Sequence, residues 1–553
     1  MIIKFDRTPE ERYRLSREAF ARGELDRALL YGEDAVRGKG SQEYKVSRAE
    51  ILMAMGRYAD AADVALDALC FGVGERAEIY EILARAASEL GHFYESLHFF
   101  AKRAHFEGDE DTLDAMDEVI EEIDAEQERR RDRDFFVVGK EDKPKSADPT
   151  LILQANFALD HGDWLGAIRY ASEVEKGSEH YVEARTICLR AHLKRREKEV
   201  AELIAEEIIS LDEKNGFALY ILIDRFKRKE YIPLLSAMEK EGSDVYYAIL
   251  AAESIADYSL ARRLVKRLLE VNRYVPGAYF VAASVALNGG DKKESEEHLR
   301  ALFSLYRKYP QEVILKGWRR ISKCDTGFSG RMPVAVVRIL ENYVKRNARN
   351  AEDFLRSMLT DESFRAALLL VLEEGKREIV SPVISYLKEL NDRHVDAFFS
   401  KVLIRYEVDL LVKREIFAAL YYRKERGRLF VTQSVVPVRV SCTKPPKFAS
   451  YPPALRLAYA EVFSFVTCMT DAACEGRLCE LAARIAERDG EDTLFFEVIC
   501  GAFLYRLLEE KAIPVDAEAS SSEDACRFFL QFVFGIRRVN MAKVRLLAAA
   551  IAE

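Results

Sequence analysis

Apolar residues recur at helical spacing along most of this chain, and small residues recur on a longer period. From Gly23 to Gly56 and on to Gly91 the spacing is 33 and then 35 residues. The second helix of a unit carries a stripe such as Ala61, Ala65 and Ala68, which must be buried against a neighbour because one hairpin cannot bury both faces. The pattern therefore predicts stacked helical hairpins.

Each unit has a turn residue and, five positions later, a small residue where two helices cross. Alanine at a crossing lets helix axes approach to the short end of the usual range of about 8–10 Å. The clearest markers among eight units are Gly23, Ala28, Gly56, Ala61, Gly91, Ser96, Gly162, Ala167, Ala261 and Gly290. Weaker units place Arg196, Lys229 and Ala256 at the turn, and Ala201, Leu234 and Ser295 at the small position.

The segments ARGELDRALLYGEDAV, AMGRYADAADVALDAL and DHGDWLGAIRYASEVE carry this pattern most clearly. They resemble tetratricopeptide repeats, whose units are two antiparallel helices of about 34 residues. The resemblance covers roughly residues 8–310. It implies an α-α superhelix, with a groove lined by the first helix of each hairpin, in a protein that binds partners.

Changes in composition divide the chain into segments. Residues 8–106 form a first predicted array and residues 149–310 a second. Between them we predict a helix over residues 107–131 and a linker over residues 132–148. From Glu107 to Glu128 the helix has twelve Asp or Glu and no Lys or Arg. The acidic helix either caps the first array, or acts as an acidic decoy for a basic partner, or is disordered.

Beyond residue 310 the repeat signature fades, while helical periodicity persists. We predict a helical-repeat region over residues 311–427, weakly HEAT-like, and a C-terminal helical domain over residues 452–553. Between them, RLFVTQSVVPVRVS is rich in β-branched residues and predicts a β-hairpin over 428–441, with Pro437 at an edge position. The predicted fold class is all-α with one small hairpin.

Composition narrows the classes of protein that fit. The chain has 553 residues, 49% hydrophobic and 32% charged, which is typical of a folded, helix-rich protein. Its first residues lack a secretory signal, and the apolar run 366–372 is too short to span a bilayer. Nine Cys without a paired framework fit a reducing compartment, so we expect a cytoplasmic protein without a membrane segment.

The sequence carries no motif that predicts catalysis. We find no phosphate-binding loop and no nucleophile elbow, and the His and Cys clusters lack the spacing of metal ligands. We therefore predict no catalytic, cofactor-binding or metal-ligating residues. An enzyme hidden in the unrecognised C-terminal third stays an alternative.

Candidate binding residues of the first array lie on its first helices. One binding mode of the tetratricopeptide family is a carboxylate clamp of Lys, Asn and Arg that grips acidic chain ends. The matching places hold Tyr13, Arg17, Glu50, Glu81 and Arg85. Because only the last Arg fits, we expect the clamp to be absent and the first groove to prefer a basic or mixed-charge segment.

The groove of the second array has a different predicted character. Its candidate peptide contacts are Asn156, Tyr246 and Phe280, and part of the surrounding aromatic set is expected to be packing core. On or near the first helices, that set comprises Phe217, Tyr220, Tyr247 and Tyr279, together with the aliphatic Ile152. Aromatic anchors favour an apolar peptide helix as the ligand. Two unlike grooves predict a non-enzymatic scaffold or adaptor that binds other proteins.

A basic stretch leaves a second function open. Residues 413–447 contain nine Lys or Arg against two Glu, interleaved with aromatic residues. The candidate patch is Lys413, Arg414, Arg423, Lys424, Arg426 and Arg428. It either contacts nucleic acid in a regulatory or RNA-associated protein, or docks an acidic segment, or is ordinary surface.

Overall fold

The fold is known from a computed structural model. It describes residues 8–106, 111–120, 148–160, 163–238, 245–326, 332–347, 350–374, 384, 390, 392–405, 408–423, 428–432, 437–442, 444–469, 474–487, 495–513, 521–536 and 538–552. Gly162, Lys424 and Arg426, much of the predicted acidic helix and nearly all of the predicted linker lie outside these residues. The chain forms two compact units, Met1–Ile120 with Glu341–Glu553, and Glu121–Leu340.

The first unit begins with three helical hairpins. Their helices are α1 (Pro9–Ala21), α2 (Leu25–Lys39), α3 (Gln42–Ala54), α4 (Tyr58–Phe71), α5 (Ala77–Glu89) and α6 (Phe93–Ala104). A capping box starts α1, since Thr8 and Glu11 each accept a hydrogen bond from the other's backbone N–H. Residues 111–120, within the predicted acidic segment, are helical.

The second unit continues with helical hairpins. Its helices are α7 (Asp148–Asp160), α8 (Trp164–Ser172), α9 (Tyr181–Lys194), α10 (Lys198–Leu211), α11 (Gly216–Tyr220), α12 (Ile232–Ala237), α13 (Val245–Ser254), α14 (Tyr258–Val271), α15 (Pro276–Asn288), α16 (Lys292–Leu305) and α17 (Gln311–Trp318). A π-helical turn, Ile221–Arg225, extends α11, and a 3-10 turn, Lys229–Tyr231, precedes α12. Helix α18 (Val334–Asn347) contains the boundary between the units.

The C-terminal part of the first unit is helical around one hairpin of strands. Its elements are α19 (Ala351–Thr360), α20 (Glu362–Glu374), α21 (Arg393–Leu403), α22 (Leu410–Arg423), β1 (Arg428–Thr432), β2 (Pro437–Ser441), α23 (Pro453–Met469), α24 (Glu475–Ala486), α25 (Phe496–Glu509), α26 (Ser522–Phe528) and α27 (Met541–Ala550). The strands pair antiparallel, with Phe430 opposite Arg439. The predicted fold class, all-α with a small hairpin, is confirmed. None of the described helices combines the length and apolar character needed to cross a bilayer.

The turns between paired helices follow the predicted repeat. The left-handed turn residues include Gly23, Gly56, Gly91 and Gly290, with φ of 72°, 68°, 76° and 86°. Arg196 and Ala256 adopt the same conformation, at φ of 65° and 59°. In the sixth unit the left-handed residue is Lys227, two positions before the predicted Lys229, because the π-helical turn alters the path of the chain there.

The small positions lie at helix crossings. Seven of the eight are fully buried, and the eighth, Leu234, is half-buried. The seven are Ala28, Ala61, Ser96, Ala167, Ala201, Ala261 and Ser295. The hydroxyl of Ser96 donates to the Ala84 carbonyl at 2.9 Å, and that of Ser295 donates to the Ala283 carbonyl at 2.6 Å. Each bond joins the two helices of one hairpin, so the buried serine is satisfied at the crossing.

Enlarging one of these small side chains is expected to destabilise only its own unit. Because Ala61 is fully buried, Ala61→Leu overpacks the crossing and should lower the free energy of unfolding of the first unit by about 1–3 kcal/mol. Hydrogen exchange should then speed up in α3–α5 and not in residues 149–310. The control is Ala54→Leu, at an exposed position of α3. Equal loss of protection in both units would contradict the two-array prediction.

Candidate binding groove

A cavity of about 1140 Å³ opens along the first helices of consecutive hairpins in the second unit. We call it the basic groove. Its lining residues are Leu159, Trp164, Arg190, Leu193, Lys194, Arg196, Lys198, Phe217, Tyr220, Ile221, Asp224, Arg225, Phe226 and Lys227. Arg190 and Lys194 are four residues apart on α9, so helical geometry places them on one face.

The π-helical turn shapes the second wall of the groove. Over Ile221–Arg225 the helix is widened, and the Phe226 N–H donates to the Ile221 carbonyl at 3.3 Å. Such turns are rare and are frequently found at functional sites. Here the turn carries Asp224 and Arg225, and both line the cavity. The sixth unit is also the one whose small position holds the bulky Leu234, so the sequence did carry a signal of irregularity.

The groove is strongly cationic. Its six cations are Arg190, Lys194, Arg196, Lys198, Arg225 and Lys227, and all but Arg190 are exposed. Asp224 is the one carboxylate among the lining residues, and it lies 3.4 Å from Arg225 Nε and 3.6 Å from Lys227 Nζ. Because the carboxylate is close to two cations, the lining as a whole presents a positive potential.

Aromatic rings hold two of the cations in place. The Arg190 guanidinium lies 5.0 Å from the centroid of the Phe217 ring, and Lys194 Nζ lies 6.0 Å from that of Trp164. These are cation–π distances. Tyr220 is half-buried beside them, and burial together with nearby Asp224 raises the pKa of its hydroxyl. The groove therefore combines exposed charge with pre-positioned aromatic surface.

A second cavity, of about 260 Å³, shares Tyr220 and Asp224 with the basic groove and extends it towards α13 and α15. The chain's own residues Lys323–Thr326 form one wall. The side chain of Asn288 holds this segment at Cys324, where its Oδ1 accepts from the backbone N–H at 2.9 Å and its Nδ2 donates to the carbonyl at 2.8 Å. We call Lys323–Thr326 the internal segment.

The residues predicted for the second groove are separated in the structure. Tyr246 is half-buried, and its hydroxyl donates to the Thr326 carbonyl in a long bond of 3.5 Å. Asn156 is half-buried on α7 and is not among the lining residues. Phe280 is completely buried and its ring packs edge-on to Tyr309, so it is core and offers no surface to a peptide.

In the first array, the predicted contacts are engaged with one another. The Tyr13 ring stacks on Tyr44 at 4.7 Å, and its hydroxyl donates to Glu43 at 3.2 Å. Two intramolecular ion pairs join the remaining candidates, Arg17 with Glu50 and Arg85 with Glu81. The preference of this groove for a basic segment stays a prediction, and any basic ligand would compete with these cations.

The described part of the predicted basic patch is largely buried rather than a surface. Lys413 is fully buried and donates to the Thr432 carbonyl. Arg414 is buried in an ion pair with Glu461, and Arg423 pairs with Asp396 at 2.8 Å. The reason is that α22 is buried on all sides over residues 412–421, so its charges point into the protein. Of Arg428, the structure gives only its backbone position in β1, opposite Ser441.

Comparisons with known proteins give only weak likenesses. No protein-family model and no curated protein matches the chain. The crystal structure of yeast Tom70 is 11% identical, covering 74% of this chain and 98% of that one, with a TM-score of 0.21. A tetratricopeptide repeat protein from Parabacteroides merdae is 13% identical, with coverages of 56% and 97% and a TM-score of 0.21.

The Cut9-Hcn1 hetero-tetramer of the APC/C is 10% identical over 99% of this chain and 97% of that one, with a TM-score of 0.25. Scores this low carry no argument about partners. The fold rests on the chain's own geometry, namely left-handed turns and fully buried small residues recurring at the predicted positions. Over the described part of residues 8–310, the chain is built from stacked helical hairpins whose turns and crossings resemble those of tetratricopeptide repeats.

Proposed function

We propose that this protein is a non-enzymatic scaffold that binds a segment of another protein in the basic groove. The observation that carries the proposal is the cavity of about 1140 Å³, lined by cationic and aromatic side chains from consecutive hairpins. Arg, Trp and Tyr are the residues most enriched among the energetic anchors of protein interfaces. A groove of this size accommodates a short peptide segment better than a flat surface does.

Charge complementarity favours an acidic segment. Five of the six lining cations are exposed, and the lining carboxylate is already close to two of them. A carboxylate that enters the groove therefore meets net positive potential, which raises the rate of association and selects against basic ligands. An aromatic or aliphatic side chain of the same segment would pack on Trp164 and Tyr220. An acidic segment with one apolar side chain therefore takes the place of the apolar helix that we predicted as the ligand from the aromatic positions alone.

The proposal is tested with a fluorescent acidic peptide of about six residues containing one Phe. Lys194→Glu with Arg225→Glu reverses an exposed charge on each wall of the groove. Since about 1.4 kcal/mol corresponds to a tenfold change in Kd, a loss of about 1 kcal/mol at each site gives roughly 10- to 100-fold weaker binding. Fluorescence anisotropy at physiological salt measures the change.

The matched control is Lys266→Glu with Lys293→Glu, which changes the net charge equally at two exposed positions of second helices outside the groove. This variant should bind the probe within about twofold of wild type, because exposed charges beyond a Debye length of about 8 Å are screened. Equal weakening in both variants would contradict a groove site. If a single-stranded RNA oligonucleotide binds wild type and displaces the peptide, the groove binds nucleic acid and the protein-segment proposal is wrong.

A further inference from the structure

The internal segment lies against the first helices of the second unit as an extended peptide. Its exposure alternates, with Lys323 and Asp325 exposed and Cys324 and Thr326 buried. Alternation with a period of two is the pattern of an extended chain with one face covered. The buried face rests on α13 and α15, at the end of the same row of helices that lines the basic groove.

The contacts that hold the internal segment are mostly made to its backbone. Asn288 binds both the N–H and the carbonyl of Cys324, at 2.9 and 2.8 Å. Its Nδ2 also donates to Glu253 Oε1 at 2.9 Å. Because a side-chain amide that grips a peptide N–H and carbonyl does not read the side chain between them, other extended peptides could make the same two bonds.

The residues that face inwards from the internal segment are small. The Cys324 thiol contacts Ser284 at 3.5 Å, and Thr326 Oγ1 lies 3.4 Å from Asn288 Nδ2. Burial raises the pKa of the Cys324 thiol and also that of the Glu253 carboxyl beneath the segment. Polar, small contacts of this kind hold a segment in one register without a large apolar anchor.

We propose that the groove has a second peptide subsite, formed by Asn288, Glu253 and Tyr246, which the chain's own Lys323–Thr326 segment occupies and which a longer partner segment takes by displacing it. The inference rests on the proposed function. The two cavities share Tyr220 and Asp224, so an extended partner that fills the basic groove and continues along the row of helices reaches the internal segment. The affinity for long partners is thus limited by competition with the internal segment.

Cys324 reports on this displacement directly. Cys324 is buried while the internal segment occupies the subsite, and this burial raises the pKa of its thiol. When the internal segment leaves, the thiol becomes accessible to solvent and its pKa falls back towards the ordinary value. The experiment follows alkylation of the full-length protein by iodoacetamide at about pH 8, resolved by peptide mass spectrometry. The probes are of two kinds, namely the short acidic peptide of about six residues and two long versions of it. Each long version is extended at one end by about six uncharged residues, which span up to roughly 20 Å more. Cys188, buried in the same unit, monitors unfolding.

We expect a lengthened probe at saturation to raise the alkylation rate of Cys324 about tenfold or more, while the short probe and Cys188 show no change. Asn288→Ala should raise the Cys324 rate without any probe. If this variant also exposes Cys188, Thr326→Val replaces it. That change removes the hydroxyl contacts with Asn288 and Glu253 and leaves both bonds to the Cys324 backbone.

The outcomes separate the two proposals. If the short and long probes all bind and none of them exposes Cys324, the proposal of a second subsite is wrong while the scaffold function stands. If neither probe binds wild type, the acidic-segment function fails, and the displacement with it. Exposure of Cys324 by the short probe as strongly as by the long ones would mean general loosening of the unit and would also overturn competitive occupancy.

Discussion

Replacing Arg405 by Ala is expected to lower the free energy of unfolding of the first unit by about 3–5 kcal/mol, the usual cost of removing one partner from a buried ion pair. Arg405 Nη1 lies 2.7 Å from Asp63 Oδ2 on α4, and its Nε lies 2.7 Å from Glu373 Oε1 on α20. The Glu373 side chain is only 3% exposed, so removing Arg405 takes a cationic partner away from a buried carboxylate. The ion pair with Asp63 joins parts of the first unit that are 342 residues apart in sequence.

The measurement is denaturant unfolding followed by hydrogen exchange with mass spectrometry. Protection should fall together in α3–α5 and in α20–α22, because Arg405 links them, and should persist in α13–α16 of the second unit. The matched control is Arg37→Ala. Arg37 also pairs across these parts, with Glu362 at 3.6 Å, but both side chains are more than half exposed. An exposed pair contributes only about 0–1 kcal/mol, so a similar loss in both variants would show that the buried geometry is not the cause.

Lys413→Met is expected to stabilise the first unit, the opposite direction from most core substitutions. Burial lowers the pKa of Lys413 from 10.5 to about 8. A shift of that size corresponds to a cost of about 3 kcal/mol for keeping the charged form folded at neutral pH. The hydrogen bond that Lys413 donates to the Thr432 carbonyl offsets about 1 kcal/mol of this. Methionine fits a similar volume without a charge, so the net gain should be about 2 kcal/mol at pH 7.

The pH dependence gives an independent check with a defined sign. For a base whose pKa is depressed in the folded state, stability is present above the unfolded pKa and lost as the pH falls through the folded value. Wild type should therefore gain stability relative to Lys413→Met as the pH rises from about 8 to 10.5, and the difference should be constant below about pH 7. Lys401→Met, at an exposed position of α21, is the control and should change stability by less than about 0.5 kcal/mol. A destabilised Lys413→Met would mean that the carbonyl contact outweighs the cost of burial.

The basic groove was only partly visible in the sequence. Phe217 and Tyr220 belong to the aromatic set predicted near the groove, and both line it. Phe280 was predicted beside them, but it lies in the core. The prediction failed because α15 is buried on nearly all sides, and on such a helix the sequence does not indicate which face meets solvent. The cations were missed because Arg190 and Arg225, which are far apart in sequence, come together only when two hairpins stack.

The sequence by itself determined the repeat, its turns and its crossings. A left-handed turn and a small residue five positions later are local steric requirements, so Gly23 with Ala28 or Ala256 with Ala261 can be found without knowledge of the rest of the chain. The alternation of β-branched residues in the hairpin is local in the same sense.

Only the tertiary structure decided where charge is exposed and where it is buried. Lys413 lies in a basic stretch of the sequence, which suggests a surface position, yet the packing of α22 places it in the core. The internal segment reads as an ordinary loop, yet Asn288 holds it along the row of first helices. The physical reason is range: sterics act between neighbours in sequence, whereas burial and electrostatic pairing depend on which distant elements pack together.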